Sequence, residues 1–166
     1  MDNAKFWAII DSANAASGGD MDRKCSLLEK ALTPLGTEEI GSFIDHFDAC
    51  MDAAYTWGLW GAAYVIHGGC SDDSFMDFRS TLISHGRMVF EAALKDPESL
   101  ADVGLDPEDA VYEGYGYIAP SLYQKRSGTP RTRSGAHPKE PSGVEWNEED
   151  LPTLFPRLSK RYDAAT

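Results

Sequence analysis

Between Ile40 and Tyr55 the apolar residues recur three and four positions apart: Ile40, Phe43, Ile44, Phe47, Met51, Ala54 and Tyr55. Only a helix puts such a series on one face, so this stretch predicts a long amphipathic helix with a single stripe to cover. The next segment, residues 58–67 (Gly-Leu-Trp-Gly-Ala-Ala-Tyr-Val-Ile-His), is apolar nearly all round. A helix of that kind is packed on several sides, and Gly61, Ala62 and Ala63 suit close approach of its neighbours. Ala63 to Ile66 alone would also suit a buried strand. No stretch alternates convincingly, however, so the two segments together predict a mainly α fold.

Start and stop signals supply the remaining helices. Phe6, Trp7, Ile9 and Ile10 open a first helix ending near Ser17-Gly18-Gly19. Asp20 suits the cap of a second, with Cys25, Leu27, Leu28, Ala31 and Leu32 facing inward. Thr37 is the expected cap of the long helix, with Glu38 and Glu39 in its first turn and Ile40 where a capping box needs Glu or Gln. Ser71 is the expected cap of the helix carrying Phe75, Phe78 and Leu82, with Gly86 breaking it before Val89, Phe90, Ala93 and Leu94. Pro97 and Asp106-Pro107 open short turns, and Tyr112, Tyr115, Tyr117 and Tyr123 crowd the stretch after them. Trp146, Leu151, Leu154, Phe155 and Leu158 form an apolar tail that Pro152 and Pro156 restrict to short turns. The expected organisation is one domain: a helical core over 1–124, a flexible basic loop over 125–144, and a tail over 145–166 packed on the core. This is a multi-helix orthogonal bundle with an extended, turn-rich C-terminal tail.

Charge and cysteine content limit the function classes. The net charge is −12, and residues 1–110 hold 20 acidic against 7 basic side chains. Such a body does not suit phosphate-backbone binding, which relies on clustered Lys and Arg. Residues 125–139, with five basic side chains among Gly, Pro and Ser, are the exception and the only expected contact for an acidic partner or RNA. The three cysteines are widely spaced, which suggests neither a disulfide framework nor a zinc site. No apolar run approaches the ~20 residues of a membrane span, and Met-Asp-Asn-Ala-Lys-Phe-Trp is no signal peptide. A cytoplasmic protein without cofactor or membrane contact is expected.

The densest polar group is Asp72, Asp73, Asp77 and Arg79, where a carboxylate and a guanidinium border an apolar face and can fix a polar ligand or simply pair with each other. His46 and Asp48 invite a metal reading, but two residues apart on a helix they diverge by about 160°, so no metal site is expected. Cys50 shares the face of His46. Cys70, after two glycines and before a helix start, sits where a thiol pKa can fall, and His67 is close enough in sequence to act as its base. Trp57, Trp60 and Tyr64 form an aromatic stripe, either core or a stacking platform. No P-loop, Gly-x-Gly-x-x-Gly, His-Glu-x-x-His or Gly-x-Ser-x-Gly occurs.

Several of these segments resemble a bacterial family known only as a domain of unknown function, DUF4240. They are Phe6-Trp7-x-x-Ile10-Asp11, His46-Phe47-Asp48, Tyr55-x-Trp57-x-Leu59-Trp60-Gly61-Ala62-Ala63-Tyr64-x-Ile66, and Gly68-Gly69-Cys70-Ser71-Asp72-Asp73-x-Phe75-x-x-Phe78-Arg79. Gly86-Arg87, Phe90-Glu91 and Trp146-x-Glu148-x-Asp150-Leu151-Pro152 also fit, so the resemblance extends from about residue 5 to 162. Thr81 stands where the pattern leads one to expect Trp. The resemblance implies common descent and a bacterial origin and carries no mechanism. The residues favour a non-catalytic protein- or peptide-binding module built on Trp60, Asp72, Asp73 and Arg79, with His46 and Asp48 as further candidates. The alternative is an enzyme acting on a small or peptide substrate with His46, Asp72 and Asp73, and Cys70 as a further member, with or without a metal.

Overall fold

Among residues 1–162, which the computed structural model describes, the chain forms ten α-helices and no β-strand. They are α1 (Asn3–Ser17), α2 (Met21–Leu32), α3 (Thr37–Ala53), α4 (Trp57–His67), α5 (Asp72–Ser84), α6 (Arg87–Lys95), α7 (Leu100–Val103), α8 (Ile118–Ser127), α9 (Leu151–Leu154) and α10 (Pro156–Tyr162), with short 3₁₀ turns between α6 and α9. This is an all-α, single-domain fold. No helix among the described residues is long and apolar enough to cross a membrane.

The caps follow the sequence with one shift. Asp20 accepts a bond from the Arg23 amide at the head of α2, and Ser71 accepts one from the Ser74 amide at the head of α5. The cap of α3 is Gly36, one residue before the expected Thr37. The third helical position is then Glu39, whose carboxylate reaches back to the Gly36 N–H at 3.3 Å. The first turn of α6 is capped from another helix: Oδ1 of Asp11 on α1 accepts the Arg87 N–H at 2.9 Å. That contact passes over Gly86, whose φ of 92° and lack of a Cβ leave room for the carboxylate.

The long stripe is buried as its spacing requires. Ile40, Phe43, Ile44 and Phe47 face the core, with Met51 and Tyr55 half-buried farther along. Helix α3 packs against α1, α5 and α8. Helix α4 buries Leu59, Gly61, Ala62, Ala63 and Ile66 and is covered by α5 and α10. The close approach at Gly61 is literal: a Cβ there would lie 2.5 Å from Cε2 of Phe155. The tail is therefore fitted to α4, with Leu151, Phe155 and Leu158 buried and Leu154 half exposed. Trp146 Nε1 donates to the Trp57 carbonyl at 2.8 Å, and the Glu98 carboxylate accepts the Arg157 and Leu158 amides at the head of α10.

Segment 125–144 lies along the acidic face of α3. Arg131 pairs with Asp45, Arg133 with Asp48 and Asp52, and His137 with Asp52. Ser142 exchanges backbone hydrogen bonds with Tyr55 and Trp57. The α3 acids are three and four residues apart, so one helix face presents all of them to the arginines.

Helix α2 buries Met21, Lys24, Leu28 and Leu32 rather than the full expected set, and Leu27 and Ala31 are only half-buried. Lys24 is fully buried, its Nζ 3.3 Å from Nδ1 of His85 and 3.5 Å from Oγ of Ser84. Burial lowers the Lys24 ammonium to about 8, while burial and the Lys24 charge lower His85 to about 4. The imidazole is thus neutral and Nδ1 accepts from the ammonium. Both groups titrate lower in the folded chain, so each costs stability as pH falls, Lys24 between 10.5 and about 8 and His85 between 6.5 and about 4. Replacing Lys24 by Met is expected to raise unfolding free energy at pH 7 by about 1–3 kcal/mol. The gain should shrink to near zero by pH 10.5 in urea titrations; an equal gain at both pH values contradicts this reading.

Candidate functional site

The polar cluster expected at the head of α5 is divided by the fold. Asp72 and Asp73 are exposed in its first turn, where the helix dipole favours them. Arg79 points inward, 4% exposed, its guanidinium 4.6 Å from the Tyr55 ring centre and 5.0 Å from that of Phe75. Nη1 donates to the Met51 carbonyl at 2.9 Å and Nε to the Phe75 carbonyl at 3.4 Å. Met51 lies in the last turn of α3, whose carbonyls lack intrahelical partners, so Arg79 caps that helix end with a cation. No carboxylate among the described residues lies within 4 Å of it, and it forms no ion pair with Asp72.

Trp60 is also held. Its ring stacks between Trp57, at 5.3 Å and 9°, and Phe75, at 4.9 Å and 12°, and Nε1 donates to the Cys70 carbonyl. His46 stacks on Phe6, with Nε2 donating to the Met1 carbonyl at 3.0 Å. It faces the N-terminus rather than Asp72 or Asp73, and the enzyme set is not assembled. Burial raises the thiols of Cys70 and Cys50 to about 12, which withholds the thiolate a nucleophile needs. His67 directs Nδ1 to the Pro107 carbonyl rather than to Cys70. Among the described residues no three His, Cys, Asp or Glu side chains gather closely enough to hold a metal ion.

What is open instead is a cavity of about 130 Å³ where α3, α5 and the chain from Tyr115 to Pro120 meet. Ile44, Phe47, Met51 and Met76 are among its apolar lining, and Asp48 on α3 and Asp77 on α5 also line it. Two of its lining hydroxyls, Ser80 Oγ and Tyr115 Oη, are buried with no hydrogen-bond partner among the described residues. Ser80 is 5% exposed and Tyr115 1%. At the lip Met76 and Tyr117 are 40% and 51% exposed. Burial raises the Asp48 carboxyl against the pull of Arg133, and it raises Asp77 together with the charges of Glu113 and Asp73. Asp48 is the one candidate from the sequence that reaches this cavity. Asp77 belonged to the polar cluster, and Tyr115 and Tyr117 to the crowd of tyrosines, but no local signal marked Ser80.

The family model described as "Protein of unknown function (DUF4240)" matches residues 1–125. The chain belongs to this family. The matched range takes in α1 to α7 and all but the end of α8, including every residue lining the cavity, while the rest of the segment along α3 and the tail on α4 lie beyond it. No curated protein and no solved structure matches the chain. For a DUF4240 protein the segments that carried the resemblance now have physical roles. Asp11 caps α6 over Gly86, Gly61 admits Phe155, and Arg79 closes α3. Thr81 is buried, its hydroxyl donating to the Tyr112 carbonyl at 3.5 Å.

Proposed function

We propose that this DUF4240 protein is a non-catalytic binding module that takes a peptide or protein segment into the cavity between α3, α5 and residues 115–120. The observation that supports this most is the pair of buried, unpartnered hydroxyls on a largely apolar wall that opens to the surface. A buried hydroxyl without a partner costs about 1–3 kcal/mol, and a ligand that bonds it recovers that energy. Exposed Met76 and Tyr117 at the lip give the flexible and the aromatic contacts that recur at peptide-binding surfaces. The Trp60, Asp72 and Arg79 neighbourhood is a weaker candidate, because its ring and guanidinium are already engaged in packing and helix capping.

Panning a random peptide display library on the purified protein tests this reading. Wild type is expected to enrich related peptides that bind at least 10-fold more weakly to Met76→Ser and Tyr117→Ser, both surface changes, and equally well to Asp72→Ala. Failure to enrich any related set, or enriched peptides indifferent to both lip variants, contradicts it.

A further inference from the structure

The charges around the cavity narrow what can enter it, and this step rests on the binding-module reading. Asp48 on α3 and Asp77 on α5 flank the opening, and Asp73 and Glu113 lie close enough to Asp77 to act on its titration. Asp77 has no ion-pair partner among the described residues, whereas Asp48 is 3.4 Å from Arg133. An anion would meet repulsion from Asp77, Asp73 and Glu113, with only Asp48 offset by Arg133. A neutral apolar ligand would leave Asp77 half-buried and unpaired, which is costly. A cation on an apolar stem leaves neither problem. An ammonium has three donors and no acceptor, matching two carboxylates and the free Ser80 oxygen. The volume, about 130 Å³, is close to that of a cavity that holds a benzene ring, ~150 Å³. It therefore has room for an alkyl or aryl stem between Phe47, Met51 and Met76.

We infer that the cavity recognises an alkylammonium group, with its stem on the Phe47, Met51 and Met76 wall and its cation between Asp48 and Asp77. Two sources share this chemistry: a free hydrophobic amine, and a lysine side chain presented by a partner peptide.

Amide chemical-shift titration of the full chain with n-hexylamine, 1-hexanol and N-acetyl-lysine amide distinguishes these cases, using wild type and Asp77→Asn. Asp77 makes no bond that holds the fold, so the variant should melt within a degree or two of wild type. Hexylamine is expected to shift amides in 44–51, 76–80 and 115–120, and to bind at least 10-fold more weakly to Asp77→Asn. Hexanol should bind at least 10-fold more weakly than hexylamine to wild type and be unaffected by Asp77→Asn. Binding of N-acetyl-lysine amide as well places the ammonium on a lysine, whereas its absence places it on a free amine; both results support the ammonium assignment. Equal affinity for hexanol and hexylamine overturns the cationic assignment while leaving the cavity as a binding site. If no probe shifts those amides, the inference is overturned, and the peptide display then decides the binding-module reading on its own.

Discussion

Gly61→Leu is expected to lower the free energy of unfolding by about 2–3 kcal/mol, measured by urea denaturation. A side chain at 61 starts with its Cβ 2.5 Å from Cε2 and 2.9 Å from Cζ of Phe155, and 3.0 Å from Nε1 of Trp146. None of these atoms is the end of a flexible chain: Phe155 is 7% exposed and Trp146 is bonded to the Trp57 carbonyl. Helix propensity works in the opposite direction, since Leu is better than Gly in a helix by ~0.8 kcal/mol, and it is the smaller term. The strain falls on the contact between α4 and the tail, so residues 142–162 should also become more sensitive to protease. A double variant with Phe155→Ala should be less destabilised than the sum of the singles by about 1 kcal/mol or more, because the leucine then fills the space the ring has left. Strict additivity would mean that residue 61 does not meet Phe155.

Arg79→Ala should cost about 3 kcal/mol, with Arg79→Lys retaining about half of that stability. The guanidinium satisfies the Met51 carbonyl, lies over two aromatic rings and fills buried volume, and alanine gives up all three. Lysine keeps the charge at the end of α3 but loses the flat face that stacks on Tyr55 and Phe75. Arg79 does not itself line the cavity, and its bond to the lining residue Met51 is to the backbone carbonyl, so peptide affinity per folded molecule should stay within about twofold of wild type. Loss of binding with unchanged stability would instead make Arg79 a contact residue.

These two positions also show how far the sequence could be read. The stripe from Ile40 to Tyr55 and the all-round apolar run at 58–67 are local patterns with one geometric solution each, and α3 and α4 lie where those patterns put them. Gly61 was legible as a place of close approach, though not as the seat of Phe155, which is 94 residues away in the chain. Arg79 reads as a ligand-binding or ion-paired cation and Lys24 carries no signal, because burial of a cation depends on partners from other segments: Met51 and Tyr55 for one, Ser84 and His85 for the other. The same holds for segment 125–144. Its Gly, Pro and Ser content reads as a loose connector, and only the fold reveals that Asp45, Asp48 and Asp52 form a ridge spaced to meet Arg131 and Arg133. The cavity was the least legible feature. It is made where four separate segments fail to fill the space between them, and Ser80 is notable only because nothing bonds it.

The most direct test of the cavity as the binding site is amide chemical-shift mapping of the full chain with a peptide enriched by the display. Shifts are predicted to concentrate in residues 44–51, 76–80 and 115–120, with little change at Trp57, Trp60 or 70–73. Shifts centred on Trp60 and the Asp72–Asp73 turn, with the cavity amides unmoved, would contradict that placement and return the binding surface to the head of α5.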